Sequence, residues 1–362
     1  MPMICEPNKY YVCLSYNDDC QAWDLGLDSV SDVPRFYRVV LRLLDERLKD
    51  RGLTFYLTWK LDLLPSYGKR VVALVMGDEW SRVPRYSQKV LATFKLYGSG
   101  PYLGINRWLP LSRIKMMLGL KYVRSRFLRL PGTLRRMLVS ANNRLQSIPQ
   151  SPIIPIPLGY GNQADLAVRP ISERQTDVFF AGSVQHAPLS KSSIRYWLQN
   201  PKQLARQAML EALDKIRATC PEIEIQVAIT SSFTLNDVHY GTGNKDEILG
   251  IEEYSKAMMD AKICLVPRGT SPETFRLFEA LRFGTIPIVE PLPPFSFYKG
   301  APVVEIENWN QLDRVIVELV ADRDRMDELH HAALAWWKSH CCEEVIADTI
   351  AQTINSLRPV HT

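Results

Sequence analysis

Between Trp80 and Ala164 the chain contains no aspartate or glutamate. The same stretch holds fourteen lysines and arginines, from Arg82 to Arg144, which leaves 30 cations against 39 carboxylates elsewhere. So concentrated a positive field is either a solvated basic face or a surface for something anionic: an acceptor, a membrane or a nucleic acid. Other absences narrow the class. No apolar run approaches the ~20 residues that span a bilayer, and the amino-terminal residues lack a basic segment followed by an apolar one. A cytoplasmic protein is expected, with peripheral membrane contact through basic residues 82–144 as an option. The seven cysteines are an odd number without Cys-x-x-Cys spacing, which argues against a disulfide scaffold and a zinc ribbon and favours buried thiols. His340, Cys341 and Cys342 have no second pair at ligand spacing, so no metal site is expected. Low-complexity tracts and internal repeats are also missing.

What remains is an ordinary globular composition, 46% apolar and 23% charged. A length of 362 residues exceeds what one core usually organises, so two domains are expected. In the first half, residues 10–16, 53–59, 71–76 and 93–97 are short β-branched or aromatic runs that read as strands. Residues 33–52 have apolar spacing for a helix between the first two. Four prolines within residues 148–157 suit a stiff connection, and the boundary is placed there. Beyond it, strands are predicted at 177–184, 223–229, 262–267, 286–290 and 303–306, with helices at 201–220, 250–261 and 272–284. Two further helices, at about 309–320 and 323–357, close the chain. The alternation predicts an α/β protein of two doubly wound, Rossmann-like units whose cleft lies at the carboxyl ends of both sheets.

The segment "VPRGTSPETFRLFEALRFGTIPIVE" (266–290) joins two such strands through a hydroxyl-rich turn and a helix. Free N–H groups at the helix start favour an anion, Ser271 and Thr274 offer hydroxyls, and Arg268 can grip phosphate oxygens bidentately. Arg276 and Glu279 share a helix face, where a carboxylate can accept both hydroxyls of a ribose. A purely structural reading stands beside this one: Ser271 as a helix cap, and Glu273, Arg276 and Glu279 in surface ion pairs.

The same segment, with the preceding "YSKAMMDAKICL", resembles the carboxyl-terminal signature of exostosin-like glycosyltransferases (glycosyltransferase family 47). The family pattern is a Pro-Arg-Gly, a hydroxyl-rich turn, Arg, an acidic residue and Gly-x-Ile-Pro-Val. "DVFFAGSV" is similar to that family's Phe-Phe-x-Gly strand, and "SSIRYWL" to the arginine-bearing element after it, so the resemblance covers about residues 177–320. It implies the GT-B fold, with residues 1–152 as the acceptor-side domain, 153–325 binding a nucleotide sugar, and 326–362 as closing helices that have the option of returning to the first domain. By it, Arg268, Ser271, Thr274, Arg276 and Glu279 line the donor site, and Gly182 and Arg195 lie near the diphosphate. It further implies a UDP-sugar donor, inversion, a hexosyltransferase-type reaction and no metal or other cofactor. The acceptor does not transfer; an anionic or lipid-linked one suits the basic stretch. Thr285 departs from the family, where cysteine is common.

Transfer also needs a group to take the acceptor proton. Asp78 and Glu79, delivered by the strand ending at Met76, are the expected base; Asp18 with Asp19, and His186, are the alternatives. A dinucleotide oxidoreductase is disfavoured because "GSGPYLG" misplaces its last glycine. Nucleic-acid binding finds no module in the basic stretch. The serious rival is a catalytically silent glycosyltransferase-like partner subunit, which would bind nucleotide or glycan without turnover.

Overall fold

Each apolar run of the first half becomes a strand because its alternate side chains reach two different layers. In the computed structural model these are β1 (Lys9–Cys13), β2 (Gln21–Ala22), β3 (Thr54–Thr58), β4 (Gly68–Val75), β5 (Val90–Lys95) and β6 (Ile153–Pro155), ordered β2-β1-β3-β4-β5-β6. All neighbours are parallel except β1 and β2. Tyr10 stacks on Phe55 at 4.9 Å on one face, and its hydroxyl donates to Asp45 of α1 (Arg35–Arg47) at 2.8 Å. Cys13, Tyr56, Ala73 and Val75 point to the other face, against Leu64 and Tyr86. The structure describes all residues except 1–5, 15–18, 27–32, 101, 107–110, 147–149, 162, 185–199, 231–232, 236–237, 241–248 and 358–362.

The chain divides into two compact units. The first comprises 1–102, 122–158 and 343–362; the second, 103–121 and 159–342. The proline-rich stretch contributes β6, an edge strand, where Pro155 takes no bond away from the sheet interior. A helix of 33 residues, α2 (Arg113–Leu145), carries nine of the fourteen lysines and arginines of the acid-free region. Cys13 and Cys20 form a disulfide, which departs, at this pair alone among the described residues, from the expectation that most cysteines are buried thiols; Cys220, Cys264, Cys341 and Cys342 are not disulfide-bonded.

The second unit is built on five parallel strands: β7 (Thr176–Ser183), β8 (Ile225–Thr230), β11 (Ala261–Val266), β12 (Ile286–Val289) and β13 (Val304–Glu305). A separate hairpin joins β9 (Phe233–Leu235) to β10 (Val238–Tyr240). Helices α3 (Pro201–Thr219), α4 (Ile251–Met259), α5 (Phe275–Arg282), α6 (Leu312–Ala321) and α7 (Arg323–Trp336) follow in chain order. Val178, Phe180, Ile263, Leu265, Ile286 and Ile288 form one core with Met209, Leu213, Leu312, Ile316 and Leu329. The single helix expected over 323–357 is interrupted: a π-helical turn (Trp337–Cys341) and extended Cys342 separate α7 from α8 (Glu343–Leu357), which belongs to the first unit. The α/β class, with two units each on a parallel sheet, is as expected.

Thr285 is fully buried. Its hydroxyl donates to the Met258 carbonyl at 3.0 Å and accepts from Arg174 at 2.9 Å. Arg174 also binds the carbonyls of Arg169, Ala261 and Phe283, and burial lowers its pKa to about 10. A cysteine would replace those two bonds with weaker ones, which explains the departure at this position.

Gly284 ends α5 at φ +65°, and a Cβ there would lie 2.6 Å from Nδ1 of His330. That Nδ1 lies 2.7 Å from the Gly284 carbonyl, so the ring donates from Nδ1. Burial holds the His330 pKa below 6.5. The unfolded chain therefore takes up this proton first as pH falls, and the contribution to stability is present above about 6.5 and lost below it. Melting temperatures at pH about 7.5 and about 5.5 should fall more for the wild type than for His330→Gln, which keeps a donor for the carbonyl without a titrating ring; equal falls would refute this role.

Candidate functional site

The order β13-β12-β11-β7-β8 reverses between β7 and β11. The chain leaves β7 towards β8, then returns to β11 on the other side. In open parallel sheets, the carboxyl ends of strands flanking such a reversal part to leave a crevice, and ligands bind there. Here those ends are Ala181, Gly182 and Ser183 of β7, and Val266 of β11 followed by Pro267 and Arg268.

Arg276, on the first turn of α5, crosses to β7. Its Nη2 donates to the Ala181 carbonyl, and its guanidinium carbon lies 4.9 Å from the Phe180 ring centroid. A Cβ at position 182 would come within 2.5 Å of that Nη2, so any larger residue there would displace the guanidinium from this position. The Arg276 Nε is buried and has no hydrogen-bond partner among the described residues. From α3, Arg206 donates to the Ser183 carbonyl and, at 3.2 Å, to the Ser183 hydroxyl. Two guanidiniums thus bracket Gly182. Arg206 was not singled out from the sequence; its place six residues into a helix that follows the Phe-Phe-x-Gly strand was the available signal.

The helix starts point the same way. Asn200 caps α3 with a reciprocal Gln203 bond, so the donors of that turn are partly satisfied. At α5 the capping residue is Thr274, which makes no side-chain cap bond, and its buried Oγ1 has no partner among the described residues. The α5 amino terminus therefore retains backbone donors and an unspent hydroxyl beside Arg276, an arrangement suited to an anion.

The remaining expected residues hold the site rather than face it. Ser271 accepts the Glu273 N–H at 3.4 Å in the turn ahead of α5, so the helix cap that the structural reading gave to Ser271 falls to Thr274 instead. Glu273 is buried and accepts from the Tyr298 hydroxyl at 2.9 Å, not part of a surface ion pair. Arg268, expected to grip phosphate, is 1% exposed and ion-paired to Glu290 at 3.3 Å; it also donates to the Leu103 carbonyl. Glu290 further accepts from Trp309 Nε1 at 2.8 Å, and burial raises its pKa against the pull of Arg268. Glu279, expected at a ribose, is buried with Oε1 on the Gly161 N–H at 3.0 Å and Oε2 on the Tyr254 hydroxyl at 2.7 Å. Burial and the Glu279 carboxylate push the Tyr254 hydroxyl well above its ordinary value. Cys264, on β11, is raised by burial to about 12 and is inert as a nucleophile at neutral pH. Arg195 and His186 lie outside the described residues.

Arg282 is not a passive neighbour of Arg276. It stacks 4.3 Å from the Tyr160 ring centroid and binds Gln163, the Ala164 carbonyl and Asp165. With Glu279, it fixes the segment 160–165 against α5.

In the first unit, β4 delivers Asp78 to the carboxyl edge at φ +75°. The side chain is 1% exposed and pairs with Arg82 at 2.7 Å and with buried Lys95 at 3.2 Å, while also accepting the Arg82 N–H. Asp78 is therefore committed to pinning the turn. Glu79, partly exposed beside it, is the more accessible carboxylate of the pair. Asp322 and Asp324 are spaced Asp-x-Asp, but Asp322 caps α7 through the Arg325 N–H at 2.9 Å. Among the described residues, no group of three or more His, Cys, Asp or Glu is placed to hold a metal.

Fold and site together define an α/β protein whose second unit sets arginines and a helix start at a strand reversal. Residues 242–356 match the family described as "RXYLT1 C-terminal domain", a match over less than half of the chain. Over 82 residues the chain is 29% identical to ribitol-5-phosphate xylosyltransferase 1 of Mus musculus and of Homo sapiens, covering 18% of this chain and 18% of each relative. The chain thus spans about a fifth of the length of the curated relatives it matches. Among solved structures, sucrose-phosphate synthase (tll1590) from Thermosynechococcus elongatus aligns with TM-score 0.44 and 14% identity over 97% of this chain and 99% of that one. Anabaena Alr3699/HepE in complex with UDP and glucose aligns with TM-score 0.39 and 10% identity over 96% and 100%. At these TM-scores neither structural likeness supports a functional argument.

Breaking the buried Arg268–Glu290 pair strands a carboxylate. Arg268→Ala should cost about 3–5 kcal/mol in urea unfolding. Removing an exposed cation, Arg325→Ala, should cost under about 1 kcal/mol. Equal losses would show that Arg268 does not hold the strand ends.

Proposed function

We propose that the chain is a glycosyltransferase of GT-B type whose nucleotide-sugar donor binds at the β7–β11 crevice. The observation that carries this reading is Arg276 beside Gly182, with an Nε and, at the same helix start, a Thr274 hydroxyl that have no hydrogen-bond partner among the described residues. In the proposed role, the diphosphate takes the Thr274 hydroxyl, the free backbone donors of α5 and the Arg276 guanidinium, which lies in the space that Gly182 leaves at the strand end. The charge that grows on the leaving diphosphate meets fixed cations and helix donors, which is electrostatic stabilisation without a metal. Arg206 supplies the second guanidinium. Arg268 and Glu279 are positioning residues: the first fixes the turn before α5, and the second ties α5 to Gly161 and Tyr254.

The similarity of residues 242–356 to the carboxyl-terminal domain of a family named for a xylosyltransferase supports the transferase reading. A uridine nucleotide and inversion at the anomeric carbon belong to the same proposal. The relatives' name extends the range of transferred sugars from hexoses to a pentose and adds phosphate-bearing acceptors. For the proton, Glu79 is the proposed base and Asp78 its anchored neighbour. The commitment of Asp78 to Arg82 and Lys95 also favours the rival, a silent partner subunit that binds donor without turnover. Slow release of UDP from a UDP-sugar in the absence of acceptor, lost in Glu79→Gln, distinguishes the active protein from the silent one.

Calorimetric titration tests the donor site. A charge-assisted bond to phosphate contributes about 1.5–3 kcal/mol, so Arg276→Ala should weaken UDP binding about tenfold to a hundredfold and UMP binding less. Arg325→Ala, distant in sequence and exposed, is the control; Arg282→Ala is unsuitable because it unpins residues 160–165. UDP affinity within about twofold of the wild type in Arg276→Ala, or tighter binding of GDP or CDP than of UDP, would contradict the assignment.

A further inference from the structure

In the first unit, residues 122–145 of α2 turn their polar side inward and their apolar side outward. At about 100° per residue, Val123, Phe127, Leu130, Leu134, Met137, Leu138 and Leu145 fall within a sector of about 100°. All are exposed, with Phe127 at 70%, Met137 at 62% and Leu138 at 72%. The opposite side carries Ser125, Arg129 and Arg136, of which the first two are buried. Arg136 reaches the Ser87 hydroxyl at 3.4 Å, and burial lowers Arg129 to about 10 against the pull of Asp78. A helix that covers a soluble core shows the reverse pattern, and so long an apolar stripe on a surface marks an interaction site.

The flanking charges name the occupant. Arg126 and Arg144 border one edge of the stripe and Arg124 and Arg135 the other, all exposed. The helix has no acidic residue along its 33 positions. A second copy of the helix would set arginines against arginines, and a neutral apolar partner would leave both rows unmatched. We infer that this face of α2 rests on an anionic lipid bilayer, with the apolar stripe at the acyl boundary and the two arginine rows at headgroup level. Long cationic side chains beside an apolar stripe suit this position, because their stems stay with the apolar layer while their charged ends reach phosphate. Among the described residues no helix is long and apolar enough to cross a membrane, so the contact is in the plane of the surface.

Co-sedimentation of the full chain with vesicles tests this. The wild type should bind phosphatidylserine-containing vesicles at low salt, release at high salt, and ignore phosphatidylcholine alone. Each pair of variants, Leu130→Ser with Leu134→Ser and Arg124→Glu with Arg135→Glu, should lower binding about tenfold or more while melting temperatures stay close to that of the wild type. No binding to anionic vesicles at low salt overturns the inference. So does binding that survives both pairs. Sedimentation equilibrium showing a dimer that the leucine pair dissolves would assign the stripe to a second copy instead, and would equally overturn it.

Discussion

A guanidinium can lie against the carboxyl end of a strand only where the strand leaves it space, and Gly182 leaves that space for Arg276. Much of the second unit supports this approach. Phe180 presents its ring to the guanidinium, the Ala181 carbonyl accepts from it, and α5 must start at Thr274 to aim it there. The start of α5 is in turn set by the buried Arg268–Glu290 pair and by Glu273 under Tyr298. Its other end is tied by Glu279 and Arg282 to residues 160–165. Three buried carboxylates and two arginines thus serve one geometry, in which a cation and a helix start face the strand reversal.

Strands and helices were legible in the sequence where their period was clean. The apolar runs of β3, β4, β7, β11 and β12 fall within a few residues of their predicted limits, as do the helices α3 and α4. Features that depend on partners distant in sequence were not legible. Residues 148–157 read as a linker because prolines are counted locally, yet Pro155 pairs at a sheet edge. The π-helical turn at Trp337–Cys341 interrupts a pattern that carries no proline or glycine, so no local signal marked the break. The Cys13–Cys20 pair depends on how β1 and β2 lie side by side, which cysteine spacing alone does not reveal.

Within the site, the residue types were legible and their division of labour was not. Arginines, hydroxyls and carboxylates around one turn suggested ligand contacts for all of them. Their partners sort them: Arg268 is paired with Glu290, and Glu273 and Glu279 accept from tyrosine hydroxyls, whereas the Thr274 hydroxyl and Arg276 Nε have no hydrogen-bond partner among the described residues. Sequence spacing cannot tell a carboxylate under a tyrosine from one over a ribose, because Tyr254, Gly161 and Glu279 meet only in the fold. The same holds at Asp78, whose two cations arrive from the next turn and from β5. In α2 the acid-free composition was plain, but which side of the helix faced out was not; the inward arginines give that answer.

The central claim is that a nucleoside diphosphate is held at the strand reversal of the second unit by Arg276 and the start of α5. Amide hydrogen exchange of the intact protein, with and without saturating UDP, tests it most directly. The account predicts slower exchange concentrated at residues 181–183 and 273–277, with little change across β1, β3 and β4. Protection confined to the first unit, or none at 273–277 under conditions where UDP is bound, would contradict it.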